Sequence, residues 1–468
     1  MFNSNIQSKL IKVHFIGIGG IGMSGIAEIL LRLNYSVSGS DLSVNQNILK
    51  LRELGAEIKL GHAAENVDHP TVVVYSSAVD LKNNPEVLEA KRKSIPLIKR
   101  AEMLSELMRL KYGIAIAGSH GKTTTTSFLA TILFEAGMDA THIIGGIVEN
   151  LGGHARVGQG DILVAEADES DGSFLLLGPI ISVITNIDDD HLDFYKTKRN
   201  LVHSFLKFAN RVPFYGHCIL NIHDEEIKRI RNRIKRPWLT FGIEDQALKE
   251  IPNYQAKNVI YGDGHTEYDL YFEGKKATEI KIFTSGVHNV LNSLGAIAVA
   301  HQLGLEFLVI ASSLVKFKGV GRRLELLFKT GPLEIIDDYG HHPTEIANAI
   351  QTVRKVKASA KIVVIFEPHR YTRTMLCWEK FLHCFNDADE VYVLPIYAAS
   401  EKPLPGISSI KLVEDINKIH PQMAKYLPSF AEFPQVFSEH AILENTVFLS
   451  LGAGSIGKNM REFIKGRL

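Results

Sequence analysis

The chain has few cysteines: Cys218, Cys377 and Cys384 are the only three in 468 residues, and none stand in C-x-x-C spacing. An odd, scattered set excludes a disulfide framework and argues against a zinc site, so core or surface thiols are the reading. Net charge is missing too. Lys plus Arg and Asp plus Glu stand at 52 each, so nothing draws the whole molecule to nucleic acid or to an anionic membrane, and charged small molecules must be met locally. No apolar run approaches the roughly eighteen residues of a membrane span. The start MFNSNIQSKL carries no apolar signal core, which makes the cytoplasm the expected compartment. What is present is ordinary globular composition, 45% hydrophobic and 22% charged, enough for large cores, in a length of roughly three domains.

Strand-like apolar runs alternate with helical patterns almost throughout, the signature of βαβ units and parallel sheets. A first set of strands is expected near Val13–Ile16, Ser36–Gly39, Glu57–Leu60 and Thr71–Tyr75, closed by a helix over Ala101–Arg109. A second set comprises Gly113–Ala117, Ile162–Glu166, Ile180–Asn186 and Cys218–Asn221; a polar excursion of doubtful structure at about 245–277 and a helix Val287–Leu303 follow it. A bridge containing Lys318–Arg323 leads to a third set, Leu333–Ile336, Lys361–Phe366, Val391–Pro395 and Val447–Leu451. The expected architecture is α/β in three domains: Rossmann-like at 1–110, central P-loop ATPase-like at 111–325, and C-terminal Rossmann-like at 326–468.

Two glycine turns carry the chemistry. Ile114–Ser127 reads I-A-I-A-G-S-H-G-K-T-T-T-T-S, a strand running into a turn that ends in Gly121-Lys122-Thr123 and opens a helix. There backbone N–H groups and the positive end of the helix dipole face an anion, the Lys122 ammonium reaches terminal phosphates, and the Thr123 hydroxyl suits Mg²⁺. The turn is shorter than the common P-loop: Ile116 stands where that loop has its first glycine, and Gly118 takes its place. Upstream, Val13–Ile18 runs into Gly17-Ile18-Gly19-Gly20-Ile21-Gly22, with Asp41 placed where a Rossmann domain has its ribose-binding carboxylate. Alone, that turn suggests NAD. Beside a triphosphate turn it calls for another phosphate ester.

Further candidates gather at strand ends, where open α/β sheets bind ligands. Glu166 closes a strand and opens E-A-D-E-S-D (Glu166–Asp171), and its carboxylate is placed for Mg²⁺, which prefers oxygen ligands. T-N-I-D-D-D-H-L-D (Thr185–Asp193) offers His191 as a second metal ligand or a general base. D-D-Y-G-H-H-P (Asp337–Pro343) and E-P-H-R-Y-T-R (Glu367–Arg373) follow successive strands, taken as adjacent and facing one cleft. Arg370 and Arg373 lie at a helix start, where cations oppose the dipole, and can grip a carboxylate as a fork. Asn289 and Asn292 share a helix face in H-N-V-L-N (His288–Asn292) and suit either a helix cap and surface amide or an adenine edge. A third G-x-G-x-x-G, Gly452–Gly457, has no acidic residue placed after it and reads as structural or as a cleft wall.

Taken in order, F-I-G-I-G-G-I-G-M-S-G-I-A (Phe15–Ala27), S-G-S-D (Ser38–Asp41), Y-S-S-A-V (Tyr75–Val79), R-A-E-M-L (Arg100–Leu104), G-S-H-G-K-T-T-T (Gly118–Thr125), E-A-D-E-S-D, H-N-V-L-N, G-R-R (Gly321–Arg323), D-D-Y-G-H-H-P-T-E (Asp337–Glu345) and P-H-R-Y-T-R (Pro368–Arg373) resemble the Mur ligases of peptidoglycan synthesis over nearly the whole chain. The resemblance implies a ligase of cell-wall biogenesis, and through it a part in cell shape, cell division and the cell cycle. It puts UDP in place of NAD, with Gly17, Gly19, Gly20, Gly22, Ser40, Asp41, Ser76 and Ser77 around the uridine and its phosphates. ATP is implied at Gly118, Ser119, His120, Gly121, Lys122, Thr123, Thr124 and Asp338, with Asn289 and Asn292 on adenine. Arg322 or Arg323 is implied on the γ-phosphate, and Arg323 is favoured because it aligns with the family's R-x-E pattern (Arg323-Leu324-Glu325). Thr123, Glu166 and His191 are implied for Mg²⁺, and Lys122, Glu166, His191 and Arg323 for catalysis. Tyr339, His341, His369, Arg370 and Arg373 are implied for the amino-acid site. No lysine matches the carbamylated one of other Mur ligases, so no lysine modification is expected.

The implied reaction joins L-alanine to the lactyl carboxylate of UDP-N-acetylmuramate. That carboxylate is a poor electrophile until it attacks the γ-phosphate of ATP and becomes an acyl phosphate; the alanine amine then displaces phosphate. Its proton is expected to pass to His191 or His341. A ligase adding a preformed peptide to the same sugar nucleotide is the near alternative. A nicotinamide dehydrogenase on Gly17–Gly22 and a non-catalytic nucleotide-binding module are more distant. Three ligands on three domains imply a closing cleft, with the third domain moving about Lys318–Gly321. A monomer or weak homodimer, without nucleic-acid binding or membrane insertion, is expected.

Overall fold

The computed structural model describes residues 11–76, 78–148, 153–248, 250–262, 264–331, 333–441 and 445–466, and these described residues form three sheets. In the first, β1 (Lys12–Ile16), β2 (Ser36–Asp41), β3 (Glu57–Leu60), β4 (Val72–Tyr75) and β5 (Leu97–Lys99) lie in the order 3-2-1-4-5, all parallel. The order reverses direction between β1 and β4, so the crevice at the carboxyl end of β1 is where such a sheet takes a ligand. The first glycine turn begins there, at Gly17.

The second sheet holds β6 (Tyr112–Ala117), β7 (Thr141–Val148), β8 (Gly153–Arg156), β9 (Ile162–Glu166), β10 (Ile181–Ile184), β11 (His217–Asn221), β12 (Trp238–Ile243), β13 (Tyr254–Gly262), β14 (His265–Phe272) and β15 (Lys275–Ile282). Strands β9 and β10 flank β6 in parallel, and the register pairs Ile116 with Glu166 and Ala117 with Ile184. The three loops that follow therefore start side by side. The described part of the excursion at about 245–277, doubtful in the sequence, carries β13, β14 and β15, which form an antiparallel meander. Thr266, Tyr268 and Leu270 alternate inward in β14, and the Tyr268 hydroxyl meets Ser293 Oγ of the helix Val287–Gln302 at 2.7 Å. Charged residues on the outer face hide this two-residue period.

In the third sheet, β16 (Glu325–Thr330), β17 (Leu333–Asp338), β18 (Lys361–Phe366), β19 (Glu390–Val393), β20 (Ala424–Tyr426) and β21 (Thr446–Leu451) take the order 16-17-21-18-19-20, with only the β16–β17 pair antiparallel. This corrects one expectation. The strands before the two His/Arg clusters, β17 and β18, are not neighbours, because β21 lies between them. The third glycine turn thus sits between the clusters, and its phosphate-like position is taken: Glu367 accepts from Ser455 Oγ at 2.7 Å and from the Ile456 N–H at 3.1 Å. The chain's own carboxylate caps the helix Ile456–Lys465.

Apolar packing divides the molecule unevenly. One core runs from Phe15, Ile26 and Leu30 in the first sheet's layer through Met103, Leu104 and Leu107 to Phe174, Phe205 and Leu220 of the second. The third sheet packs within itself, around Ile350, Val364 and Phe381 on one face and Ile365, Phe433 and Phe448 on the other.

Candidate active site

The turn after β6 is shaped by two glycines. Gly118 has φ +143 and Gly121, just before the helix Lys122–Glu135, has φ +83. A Cβ on Gly118 falls 1.9 Å from Thr185 Oγ1, and one on Gly121 falls 2.4 Å from Asn292 Oδ1. Only glycine fits both the dihedrals and the space. The loop after β10 grips this turn: the Thr185 hydroxyl and Asn186 Nδ2 donate to the His120 carbonyl at 2.6 and 2.9 Å, and Asn186 Oδ1 accepts from the His120 N–H at 2.8 Å. Ser119 Oγ accepts from the Asp188 N–H at 2.9 Å. Thr185 and Asn186 stand in a motif whose local pattern points to His191, and only the fold shows that they scaffold the turn.

Lys122 Nζ donates to the Gly118 carbonyl at 2.6 Å and to both Glu169 oxygens at 2.7 and 3.0 Å. Burial alone lowers its pKa, but Glu169, Asp168 and Glu166 outweigh that and hold the ammonium above its ordinary value. Thr123 Oγ1 donates to Glu166 Oε2 at 3.2 Å. His191, in left-handed backbone at φ 56, sets Nε2 3.6 Å from Glu169 and 3.4 Å from Asp190. Thr124 is buried in the first helical turn. Asn292 accepts from Thr125 Oγ1 at 3.3 Å and donates to Asn289 Oδ1 at 3.3 Å, while Asn289 donates to Thr284 Oγ1 and the Ser285 carbonyl. Lys122, Thr123, Glu166, His191 and Asn292 therefore surround one turn.

The third sheet reaches into this cleft. Imidazole His120 faces Asp188 through Nε2 at 3.0 Å and Glu345 through Nδ1 at 3.2 Å. Burial opposes its charge, but the two carboxylates prevail and push it up to about 10, so the ring is an imidazolium. Asp188 also accepts from Thr344 Oγ1 at 2.6 Å, and Arg373 lies 3.4 Å from Asp190. His120, Asp188 and His342 lie close enough to hold a metal ion. With both His120 nitrogens already facing acids, the cluster reads as an ion-paired bridge.

Arg322 and Arg323 part company here. Arg322, at φ 60, turns into the third sheet, bonding Asp337 at 3.2 Å and the Gly452 carbonyl at 2.5 Å, whereas Arg323 points toward Glu345 at 3.8 Å. Both guanidiniums lie against the Tyr339 ring. Asp338 accepts from the Gly340 and Leu324 N–H groups, and burial raises it to about 6 against the pull of Arg323. His341 donates from Nδ1 to the Tyr339 carbonyl at 3.0 Å, since a carbonyl only accepts; burial lowers its pKa to about 3 and leaves Nε2 an acceptor. His369 stacks on Tyr397, and burial together with Arg373 and Arg370 lowers it to about 4. Asp190, His191, Arg370, Arg373 and Cys377 line a common cavity.

The first glycine turn lies apart, on the first sheet. Gly17 has φ +78 and, with Ile18, donates its N–H to the Ser40 carbonyl. The Asp41 carboxylate accepts from the Gly19 N–H at 2.8 Å. Gly20 precedes the helix Ile21–Arg32, Gly22 lies against Arg100, and Ser76 Oγ faces Gly17. The Ser40 hydroxyl points inward, donating to buried Glu86 at 2.7 Å. Ser77 lies outside the described residues.

Fold and site together define a three-sheet α/β protein built around a P-loop-type turn, with a charged cleft between the second and third sheets. Residues 12–112 match the Mur ligase family catalytic domain, 116–300 the Mur ligase middle domain, and 322–454 the Mur ligase glutamate ligase domain. The chain is 46% identical to a UDP-N-acetylmuramate–L-alanine ligase of Trichlorobacter lovleyi, over 97% of this chain and 98% of that one. It is also 46% identical to the enzyme of that name from Aquifex aeolicus, over 98% of each. The crystal structure of UDP-N-acetylmuramate–alanine ligase from Thermotoga maritima superposes with a TM-score of 0.78 at 31% identity, covering 98% of this chain and 99% of that one. The chain belongs to the Mur ligase family.

Proposed function

We propose that the protein joins L-alanine to the lactyl carboxylate of UDP-N-acetylmuramate, cleaving ATP to ADP and phosphate, in the synthesis of peptidoglycan precursors. The observation that carries this reading is the convergence of the phosphate turn with the Arg/His cluster of the third sheet. His120 of the turn faces Glu345 at 3.2 Å, and Glu345 accepts from the His341 N–H at 3.1 Å. Full-length likeness to alanine-adding relatives supports the choice of amino acid.

In this reading the first sheet holds the UDP-sugar at Gly17–Gly22, the second holds ATP, and the third holds alanine. The lactyl carboxylate attacks the γ-phosphate in line; Lys122 and Arg323 spread the charge on the transferring group, and the acyl phosphate forms. The cavity suits a zwitterion. Arg370 and Arg373 offer cations to the alanine carboxylate, and Asp190, held below the ordinary carboxylate range by Arg373 and His191 against burial, offers a charge to the ammonium. The alanine amine attacks the acyl carbon and phosphate leaves; neutral His341, with Nδ1–H on the Tyr339 carbonyl, offers the Nε2 lone pair to the proton that the nitrogen sheds. Oxygen donors 3.2 Å apart on Thr123 and Glu166 suit a hard cation. With His191 these residues would hold Mg²⁺, which supplies Lewis-acid stabilisation of phosphate charge. Among the described residues no helix is long and apolar enough to cross a membrane, and a soluble nucleotide substrate suits the cytoplasm.

Phosphate release with UDP-N-acetylmuramate and ATP, comparing free L-alanine with a preformed tripeptide, tests the reading. It requires release with alanine and little with the tripeptide. The reverse preference assigns the peptide-adding reaction instead.

A further inference from the structure

Glu169 was not among the expected site residues, yet the phosphate turn and the loop after β10 both converge on it. Its side chain is 1% exposed. Both carboxylate oxygens accept from Lys122 Nζ, at 2.7 and 3.0 Å, and Oε1 lies 3.6 Å from His191 Nε2. Its backbone is fixed as well, because the buried Tyr195 hydroxyl donates to the Glu169 carbonyl at 2.6 Å. With the Gly118 carbonyl at 2.6 Å and that of Ser119 at 3.3 Å, Glu169 completes a set of four acceptor oxygens around the three N–H bonds of the ammonium.

Two consequences follow from charge and geometry. A buried ammonium needs a counterion to stay charged and in place, and Glu169 gives the closest one, from the loop that begins just after Glu166, the last residue of β9. A phosphate reaching Lys122 must take up N–H bonds that Glu169 accepts, so carboxylate and phosphate compete for one cation.

We infer that Glu169 is a positioning residue for the proposed ligation: it holds the Lys122 ammonium across the phosphate turn and yields it to the transferring phosphoryl group, at a cost in ground-state nucleotide affinity. Charge is thereby kept for the transition state, where it lowers the barrier, rather than used up on binding ATP. This inference rests on the proposed function and on the place of Lys122 in it.

The test is a binding cycle with turnover beside it. Glu169→Gln keeps the shape and removes the charge. Its kcat should fall ~10-fold or more, while the protein binds ADP with magnesium ~3-fold or more tighter by calorimetry. In a Lys122→Gln background the same change should leave ADP affinity within about twofold, because the competing cation is gone. Glu169→Asp, with a carboxylate one methylene short, should regain part of the lost turnover; if Glu169→Gln fails to fold, Glu169→Met, of similar length and uncharged, carries the binding cycle. Unchanged or weaker ADP binding in Glu169→Gln, an equal shift in the Lys122→Gln background, or kcat near wild type overturns the inference. The wild-type control separates the two claims: a wild type that releases no phosphate with alanine sinks the proposed function, while the ADP cycle still judges the Lys122–Glu169 competition.

Discussion

At the scale of single residues, His120 shows how the site is wired. It belongs to the phosphate turn, yet its ring nitrogens face Asp188 on the loop after β10 and Glu345 in the first turn of the helix Pro343–Val356 that follows β17. Its folded pKa of about 10 lies above the ordinary value of 6.5. Its contribution to stability is therefore complete below about 6.5 and is lost as pH rises through about 10. The melting temperature should fall more steeply between pH 7 and 10 in wild type than in His120→Gln; equal slopes contradict the charged bridge. Lys122→Ala removes a cation from the transferring phosphate and should lower turnover by at least ~100-fold in a phosphate-release assay. Near-normal turnover counts against that role. The residue types of the phosphate turn were legible in the sequence because each has a distinct chemical use. The acids that organise them were not. Glu169 sits in an acidic run where Glu166 drew attention as the strand end, and Glu345 lies in a motif read for its histidines. Likewise, only the fold shows that Arg322 is committed to Asp337 and Gly452.

At the scale of elements, the βαβ alternation and both glycine turns were readable because hydrophobic runs and glycine spacing are local signals. The β13–β15 meander was not readable, since its outer face is charged and its inward residues are spread among them. Nor was the position of β21, which comes last in sequence and inserts between β17 and β18; pairing of distant segments leaves no local mark. The turn itself offers a sharp test. Gly121→Ala places a Cβ 2.4 Å from Asn292 Oδ1 at φ +83, whereas Gly137→Ala, at φ +73, meets nothing within 4 Å. Both should lose about 1–2 kcal/mol to backbone strain, read by denaturant unfolding. Only Gly121→Ala should also weaken ADP binding, by ~10-fold or more on calorimetry. Equal ADP affinity in the two variants rules out the turn's part in holding phosphate.

Across the whole molecule, the first two sheets share an apolar core, while the third has cores of its own and meets the second through polar pairs such as His120–Glu345, Thr344–Asp188, Arg373–Asp190 and Lys380–Asp189. Apolar surface has no partner in water to replace the contacts it loses, whereas ions and hydrogen-bonding groups that part are taken up by water. The third lobe is therefore the one expected to move, about the Lys318–Gly321 bridge, and closure would shield the acyl phosphate from water. Small-angle scattering should show a smaller radius of gyration with UDP-N-acetylmuramate, ADP and alanine than without ligands; identical profiles contradict the motion. The central claim is that the γ-phosphate of ATP is spent on activating a sugar-linked carboxylate for attack by alanine. Mass spectrometry of the products with parallel ADP counting tests it most directly: the account predicts one UDP-N-acetylmuramoyl-alanine for each ADP formed, and amide formed without ATP cleavage, or ATP cleaved without amide, would contradict it.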